Sequence, residues 1–384
     1  MDIFFLIFIV LVVYSYGIYP TTLLFFLKQN MPSVLRDDFQ KIAVVIATYN
    51  EEVNIEKTIE SILNSEIGDQ KLTIYVGNDG SDDNTGSILN NLSLHNSKII
   101  VSEYNRIGKP NIINEIVKTY NLNNNETAIV FMDANISIEK KTVFSLCQSI
   151  RNFGYGAAGA AVLPLSETNN TESTYILREN QIKENESLAF GIVIGLFGAC
   201  FAIRGDCFRE IPENFITDDL FMTLSILSQN QKISYSQQVK AYESITMDIP
   251  NEFKRKRRFS AGNFQILKHF ITLLNPFKVG FGFVYCFLFH KIIRWIAPIL
   301  MFLLWIYSFF QAHSMLFELI RYGGIFILLF LLSNYILISR QKTAIGQRAF
   351  YFLAMNIAIL MGFWDFLNGI KRNSWERSKR YETK

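Results

Sequence analysis

The chain has 384 residues, of which 50% are hydrophobic and only 18% are charged. Soluble domains usually carry about 25% charged residues, so this composition indicates a membrane protein and disfavours an ordinary cytosolic enzyme, a disordered chain or a collagen-like fibre. The net charge of +3 is small and gives no support for nucleic acid as the main partner.

The chain opens with an apolar run, Ile3 to Leu27, that contains no charged residue. At ~1.5 Å per residue, this run is long enough to cross the ~30 Å hydrocarbon core of a bilayer. A cleaved signal peptide would need a basic start and a shorter apolar core, whereas the first basic residues here, Lys28, Arg36 and Lys41, follow the run. We therefore predict a retained transmembrane helix in residues 1–28, followed by a cytoplasmic region.

Short apolar runs rich in β-branched residues alternate with helical patterns in residues 40–262. The runs are Ile42–Ala47, Leu72–Val76, Ile99–Val101 and Ala128–Met132. The helical patterns are Glu51–Ser65, Asn111–Tyr120 and Glu139–Arg151. Continuous apolar runs are typical of strands that are buried on both faces of a parallel sheet. Their alternation with helices predicts a doubly wound α/β domain.

The last third of the chain is apolar again. Its three long apolar runs are Trp295–Phe310, Tyr322–Ile338 and Phe350–Ile370. We predict interfacial helices in residues 263–290, where a helix packed on the core is the alternative, then transmembrane helices in 291–371 and a basic tail in 372–384. Asp365 lies in the third run and is costly in lipid unless it is paired or near the interface.

The topology of this last third stays open. Arg340, Lys342 and Arg348 place the loop before the last run inside, and a full crossing would then place the basic tail outside, against the same rule. Either the Asp365 segment does not cross completely, or Phe277–His290 forms an additional crossing, which would place the tail inside only by moving the Arg340 loop outside.

Cysteine and histidine spacing predicts neither a disulfide framework nor a zinc site. Cys147, Cys200, Cys207 and Cys286 form no CxxC pair, and the four histidines form no HExxH motif. We expect buried thiols and ordinary surface or interfacial histidines.

Polar clusters follow three of the predicted strands. They are Thr48-Tyr49-Asn50-Glu51, Gly77-Asn78-Asp79-Gly80-Ser81 and Asp133-Ala134-Asn135. Open α/β sheets bind ligands outside the carboxyl ends of their strands. Each cluster alone also suits a turn or a helix cap, but their common placement predicts one binding site.

With Thr217-Asp218-Asp219 and Arg255-Lys256-Arg257-Arg258-Phe259 added, these clusters resemble the family 2 inverting glycosyltransferases of the GT-A fold, the fold of nucleotide-diphospho-sugar transferases. The similarity is to the membrane-embedded branch that includes the cellulose, chitin and hyaluronan synthases. It runs from about Ile42 to Gln265, with a weaker match at Trp375-Glu376-Arg377. It implies a UDP-sugar donor, a divalent metal (Mg²⁺ or Mn²⁺), and a polysaccharide or lipid-linked glycan acceptor beside membrane lipid.

The resemblance implies a role for five residues on the donor side. Thr48, Tyr49 and Glu51 would hold the uracil end of the donor, since an aromatic face beside polar groups suits a base. Asp79 would contact the nucleoside, and Lys109 would face the donor phosphates.

The resemblance also places a metal site at Asp133-Ala134-Asn135, the position of the family's DxD motif. Asp133 supplies a carboxylate, whereas Asn135 offers only a neutral carbonyl oxygen. A hard cation that takes most of its ligands from phosphate and water would still fit, and it would neutralise charge on the departing diphosphate.

On the acceptor side, Asp219 takes the position of the family's general base, which accepts the proton of the acceptor hydroxyl. The adjacent Asp218 would raise the pKa of the pair, although two acids here also suit a helix start. The small residues Gly198, Ala199 and Cys200 resemble the segment that lines the acceptor side, and packing alone explains them about as well.

Arg255 and Arg258 are expected to bind the nucleotide sugar, and Arg258 is suited to a diphosphate. Processive members carry QxxRW here, so the change to Arg255 and Phe259 leaves processivity open. The alternatives are a non-processive transferase that adds one sugar to a polyprenyl or lipid carrier, and an inactive sugar-nucleotide-binding membrane protein marked by Asn78 and Asn135.

Overall fold

The structure is a computed structural model that describes residues 2–27, 39–67, 70–165, 171–243, 249–311, 315–337 and 344–370. Several residues that bear on topology lie outside the described residues. They are Lys28, Arg36, Arg340, Lys342 and the basic tail from residue 371 onwards, with Trp375-Glu376-Arg377. The sidedness of the chain therefore stays a prediction.

One eight-stranded sheet organises the middle of the chain. Its strands are β1 Lys41–Thr48, β2 Lys71–Asn78, β3 Ile99–Glu103, β4 Thr127–Met132, β5 Ile136–Ile138, β6 Ala157–Pro164, β7 Cys200–Arg204 and β8 Ile233–Glu243. They lie in the order β3-β2-β1-β4-β7-β6-β8-β5. The four strands predicted from sequence form the parallel half, β3-β2-β1-β4, and β7 then runs antiparallel to β4 and to β6.

Fourteen α-helical segments occur in the described residues. They are α1 Asp2–Val13, α2 Tyr19–Thr22, α3 Ile55–Leu63, α4 Thr85–His95, α5 Lys109–Thr119, α6 Thr142–Phe153, α7 Thr171–Phe190, α8 Asp218–Ser228, α9 Ile249–His269, α10 Pro276–Val279, α11 Phe281–Cys286, α12 Ile293–Ser308, α13 Met315–Leu337 and α14 Ala344–Leu367. The three helices predicted beside the strands are confirmed as α3, α5 and α6.

The sheet is buried on both faces, as the continuous apolar runs predicted. In β1, Ala43 and Val45 pack into a core with α5 and α8, whereas Ile42 and Val44 pack into a second core with α3, α4 and α6. Side chains alternate between the two faces of a strand, so an unbroken apolar run fills both cores. The doubly wound α/β architecture is therefore confirmed.

Three helical stretches of the described chain are long and apolar enough to cross a membrane: Leu6–Phe26, Phe281–Ser308 and Phe350–Leu367. They indicate a membrane protein. The second stretch passes through the expected boundary at residue 290, because a π-helical turn, Phe287–Ile292, continues α11 into α12. The predicted apolar run that starts at Tyr322 lies in α13.

The last of these stretches is joined to α9 by an ion pair of Asp365 that the sequence did not predict. The Asp365 carboxylate accepts two hydrogen bonds from Arg257, from Nε at 2.5 Å and from Nη2 at 2.6 Å. Ser260 Oγ donates to the Ile359 carbonyl at 2.9 Å. A Cβ atom on Gly362 would lie 2.3 Å from the Arg257 carbonyl oxygen, so the two helices touch at backbone distance. Asp365 is therefore paired, as its position in an apolar helix required.

Asp365→Asn is expected to lower the thermal stability of the detergent-purified protein. The two side chains of the pair with Arg257 are 40% and 35% exposed, so its loss should cost about 1 kcal/mol and lower the Tm by about 2–4 °C. Thermal unfolding of Asp365→Asn beside Glu318→Gln, which alters an exposed carboxylate on α13, measures the difference. Equal Tm values for the two variants would contradict a stabilising pair.

Candidate active site

The polar clusters meet at one edge of the sheet. Thr48 ends β1 and pairs with Asn78 at the end of β2, and the Asp79 amide donates to the Thr48 carbonyl at 2.9 Å. Asp133 follows β4, which runs parallel to β1 on the other side. The carboxyl ends of these parallel strands thus bring together the residues that the sequence predicted to share a site.

Lys109 joins two acidic segments at this edge. Its Nζ lies 2.8 Å from Asp133 Oδ1 and 2.9 Å from Asp218 Oδ2. Burial alone would lower the pKa of Lys109, but the two carboxylates outweigh burial and raise that pKa above its ordinary value. A permanent cation therefore joins the two acidic segments at this edge.

Asp79 holds the loop that delivers Lys109. Its side chain is 1% exposed, and its two oxygens accept hydrogen bonds from the backbone N–H of Ile107 at 2.7 Å and of Gly108 at 3.0 Å. Gly108 has a φ of 87°, a conformation that favours glycine, and it precedes α5 directly. Asp79 thus has a structural role that the sequence did not predict, and its contact with a nucleoside stays a prediction.

Tyr49 presents an aromatic face at the same edge. Its hydroxyl donates to Asp82 at 2.9 Å, and the guanidinium carbon of Arg106 lies 3.5 Å from its ring centroid. Sequence reasoning missed Arg106, although its position three residues before Lys109 was a usable indication. The guanidinium thus covers one face of the tyrosine ring in a cation–π contact.

Two of the buried polar atoms near this edge that have no hydrogen-bond partner among the described residues are Thr48 Oγ1 and Asn135 Nδ2. Buried polar groups are normally paired, so these two are candidates to contact a ligand. Glu51, by contrast, accepts a hydrogen bond from Asn54 Nδ2 at 2.9 Å, next to the start of α3. One of its carboxylate oxygens therefore has a local structural role.

The residues at Asp133 fit a metal only if a ligand completes the coordination. The described part of the chain contains no group of three or more His, Cys, Asp or Glu side chains that could hold a metal ion. Asp133 is 25% exposed on its side chain, and the unpaired buried atom of the Asn135 amide beside it is Nδ2, which can donate to a phosphate oxygen but cannot ligate a metal. This set suits Mg²⁺ or Mn²⁺ shared with a bound diphosphate, rather than a cage built by protein alone.

Asp219 lies next to Asp218 in the first turn of α8 and is held by backbone amides. Its Oδ2 accepts from Gly198 N at 3.1 Å, and its Oδ1 accepts from Leu220 N at 2.7 Å. Burial, and then the charge of Asp218, raise the pKa of Asp219 to about 6. A carboxylate with such a pKa can both exist as a base and accept a proton near neutral pH.

The predicted acceptor-side segment lies between the two acidic positions. Gly198 contacts Asp219, and the next residue, Ala199, accepts from the Asp133 amide at 3.1 Å. Cys200 then begins β7, and burial raises the pKa of its thiol to about 12, so it is chemically inert. Asp133 and Asp219 therefore approach the backbone of two consecutive residues, within reach of one small ligand.

The basic motif lies on α9. Arg255 forms an ion pair with Glu252 on the same helix at 2.9 Å. A Cβ atom on Gly262 would lie 2.9 Å from Thr217 Cγ2, so α9 packs directly on the segment that leads to α8. Arg258 lies one turn before Gly262 on this helix. Contact of Arg255 or Arg258 with a nucleotide sugar stays a prediction.

Family models match most of the chain. The model described as Glycosyl transferase family 2 matches residues 43–211, and the model described as Glycosyl transferase family group 2 matches residues 128–364. The first match covers the parallel half of the sheet and the acceptor-side segment. The second continues through α9 into α14.

Curated relatives are poly-beta-1,6-N-acetyl-D-glucosamine synthases. The protein from Staphylococcus epidermidis is 24% identical over 322 residues, which cover 78% of this chain and 74% of the relative. The protein from Staphylococcus aureus strain COL is 22% identical over 286 residues, which cover 71% of this chain and 66% of the relative.

A solved structure with a similar fold is the mannosyltransferase PcManGT from Pyrobaculum calidifontis in complex with GDP-Man and Mn²⁺. It has a TM-score of 0.64 and 17% sequence identity, and the match covers 94% of this chain and 98% of that one. At this identity the likeness shows the fold alone, which is the GT-A fold.

Asp79→Asn is expected to loosen the loop that carries Lys109. The amide NH₂ group would face one of two backbone N–H donors, and an unsatisfied buried donor costs about 1–3 kcal/mol, which lowers the Tm by several degrees. Thermal unfolding in detergent measures the change. Asp82→Asn is the matched control, because Asp82 is exposed and its amide oxygen could still accept from Tyr49. If both variants unfold at the wild-type temperature, Asp79 does not hold the loop.

Proposed function

The chain belongs to glycosyl transferase family group 2 and is a sugar-transferring enzyme, and from this premise we propose a membrane-bound inverting transferase that moves a sugar from a UDP-sugar to a polysaccharide or lipid-linked glycan. The observation that carries the proposal is the contact of Lys109 with Asp133 and Asp218, with Asp219 beside them. This arrangement brings together a cation that would bind phosphate, a carboxylate that would bind a metal ion and a carboxylate that would act as the general base.

The proposed reaction is a single displacement. Asp219 removes the proton from an acceptor hydroxyl, whose oxygen attacks the anomeric carbon from the face opposite the diphosphate. The new carbon–oxygen bond forms as the bond to the β-phosphate oxygen breaks, the configuration inverts and UDP leaves. Lys109 and Arg258 balance the negative charge of the leaving diphosphate.

The donor binds across the edge of the sheet in this proposal. Its uracil stacks beside Tyr49 and contacts Thr48, and Arg106 moves aside or covers the base. A divalent cation held by Asp133, with Asn135 next to it, would neutralise charge on the diphosphate when bound.

The relatives support N-acetylglucosamine as the first sugar to test, since both are named as synthases of an N-acetyl-D-glucosamine polymer. The apolar helices support a multi-pass protein of the cell membrane, and the basic residues after the first of them support a cytoplasmic catalytic domain. The acceptor would then be a growing polysaccharide or a lipid-linked glycan.

A non-processive transferase that adds one sugar to a lipid carrier is the second candidate. The substitutions Arg255 and Phe259 in the basic motif favour it, and Arg255 is paired with Glu252 in the structure. Product length separates the two candidates, because a ladder of products requires repeated addition and a single product excludes it.

We expect metal-dependent UDP release from UDP-N-acetylglucosamine, or from another UDP-sugar in a screen, by the full-length protein in detergent. Asp219→Asn should lower kcat roughly 10²–10⁴-fold, because the base is lost. Glu126→Gln, which alters an exposed acid just before β4 at the opposite end of that strand, should leave release unchanged. If no UDP-sugar gives UDP release, the proposed class of donor is wrong. If Asp219→Asn keeps full activity, Asp219 is not the general base.

The pH dependence of kcat/KM should follow Asp219. Its pKa is raised from an ordinary value of 3.8 to about 6, and only the ionised form can accept a proton. The rate should therefore fall as the pH drops through about 6 and level off above it. A profile from pH 4.5 to 8 measures this, and a fall that begins only near the ordinary carboxyl value would contradict the assignment.

A further inference from the structure

A buried polar cluster lies between α7 and the apolar stretch Phe281–Ser308. Its ionisable members are Glu179, Lys183 and Glu186 of α7, and His290, Lys291 and Arg294 of the stretch. Glu179, Lys183, Glu186 and His290 are at most 3% exposed. Burying several charges is expensive unless they are paired, and the proposed reaction uses none of them, so the cluster needs its own explanation.

Glu179 anchors α7 to the apolar stretch. Its Oε2 lies 3.0 Å from His290 Nε2 and 3.0 Å from Lys291 Nζ, and its Oε1 lies 3.2 Å from Arg294 Nη1. Burial would raise the pKa of Glu179, but Lys291, His290 and Arg294 together hold it well below its ordinary value. Glu179 is therefore fully used as an ion-pair partner.

Glu186 has a different set of partners, because it also reaches the catalytic domain. Its Oε1 accepts from the Tyr19 hydroxyl at 2.6 Å and lies 2.6 Å from His290 Nδ1. Its Oε2 accepts from the Ile194 backbone N–H at 3.0 Å. One carboxylate thus connects two apolar helical stretches with the segment 191–199.

The segment 191–199 leads directly to the base. Leu196 N donates to Thr223 Oγ1 of α8 at 3.0 Å, and two residues later Gly198 N donates to Asp219 at 3.1 Å. The ring of Phe197 lies 2.9 Å from Lys183 Nζ. The position of Ile194 therefore influences how Gly198 meets the Asp219 carboxylate.

We propose that Glu186 is a positioning residue for sugar transfer. By joining Tyr19 and His290 to Ile194, it fixes the segment that presents Gly198 to Asp219, so the membrane helices set the geometry of the acceptor side. The inference rests on the proposed function. The proposed donor contacts Thr48, Tyr49 and Lys109 are positioned by β1 and by the loop that Asp79 binds, not by the segment 191–199, so Glu186 should affect kcat without affecting donor affinity.

The pH profile supplies a signature that a general loss of stability would not produce. The Gly198 N–H stabilises the ionised form of Asp219, so weakening that hydrogen bond raises the pKa of Asp219 and moves the acidic limb to higher pH. The charged groups that face Asp219 are Asp218, Lys109, Asp133 and Lys183. Burial lowers the pKa of Lys183 to about 7 and the Glu186 charge helps to raise it, so the Glu186 substitutions also alter Lys183, whereas Tyr19→Phe changes no charge and isolates the effect of positioning.

The test compares Glu186→Ala and Glu186→Gln with Glu184→Gln in the full-length protein. Glu184 lies on the same helix and accepts from Gln237, so it controls for the chemical change. Glu186→Ala should lower kcat about 10-fold to 100-fold, shift the acidic limb upward and leave the Kd for UDP as in the control. Glu186→Gln should retain more activity than Glu186→Ala, because its amide oxygen can still accept the hydrogen bond from the Ile194 backbone N–H.

A second readout keeps the test decisive. Hydrogen exchange of the backbone amides in 191–199 should be faster in Glu186→Ala than in Glu184→Gln. Tyr19→Phe removes one hydroxyl donor to Glu186 and should change kcat, pH limb and exchange in the same direction by less, even if Glu186→Ala does not fold.

The inference fails if these variants match Glu184→Gln in kcat, pH limb and exchange, or if the Kd for UDP worsens in parallel with kcat. A wild-type protein without transfer activity would instead overturn the proposed function, and the exchange measurement would still decide whether Glu186 fixes the segment.

Discussion

The ammonium group of Lys109 lies between Asp133 and Asp218 and so joins the end of β4 to the start of α8. Without a cation, these carboxylates and Asp219 would repel one another across a partly buried edge. The loop before α5 brings Lys109 there because Asp79 binds two of its backbone N–H groups. Much of the site therefore depends on a chain of contacts from Asp79 through Lys109 to the two acidic segments, and it leaves Asp219 as the carboxylate with the raised pKa.

The parallel half of the sheet could be predicted because a strand that is buried on both faces must be apolar at every position, as β1 is. The other half could not. β6 is built mainly from Ala and Gly, and Gly159 is required there because a Cβ would lie 2.5 Å from Leu196 Cδ2. β8 is largely polar where it leaves the core. Whether these segments form strands is therefore determined by contacts with residues distant in sequence, rather than by their local β-strand propensity.

The candidate site was predictable to the extent that chemistry was concentrated in short motifs at strand ends. Residues whose contacts arise only from the tertiary structure could not be predicted from the sequence. They are Arg106, which lies over the ring of Tyr49, and Glu186, which accepts a hydrogen bond from the Ile194 backbone. His290, expected to be an ordinary histidine, is fully buried between two glutamates. The spacing of Glu179, Lys183 and Glu186 along α7 places them on one helical face and was a usable indication, since three charges on the buried face of a helix need charged partners.

The 21-residue helix α9 touches α14 through Arg257 and the segment before α8 through Gly262. These two residues lie only ~7.5 Å apart along the helix axis. A thinner or thicker bilayer changes the tilt of a membrane helix of fixed length. A change of tilt in α14 would therefore be transmitted by the rigid helix α9 to Thr217, the residue preceding Asp218. Under the proposed function, we therefore expect the rate of sugar transfer to depend on the thickness of the surrounding bilayer.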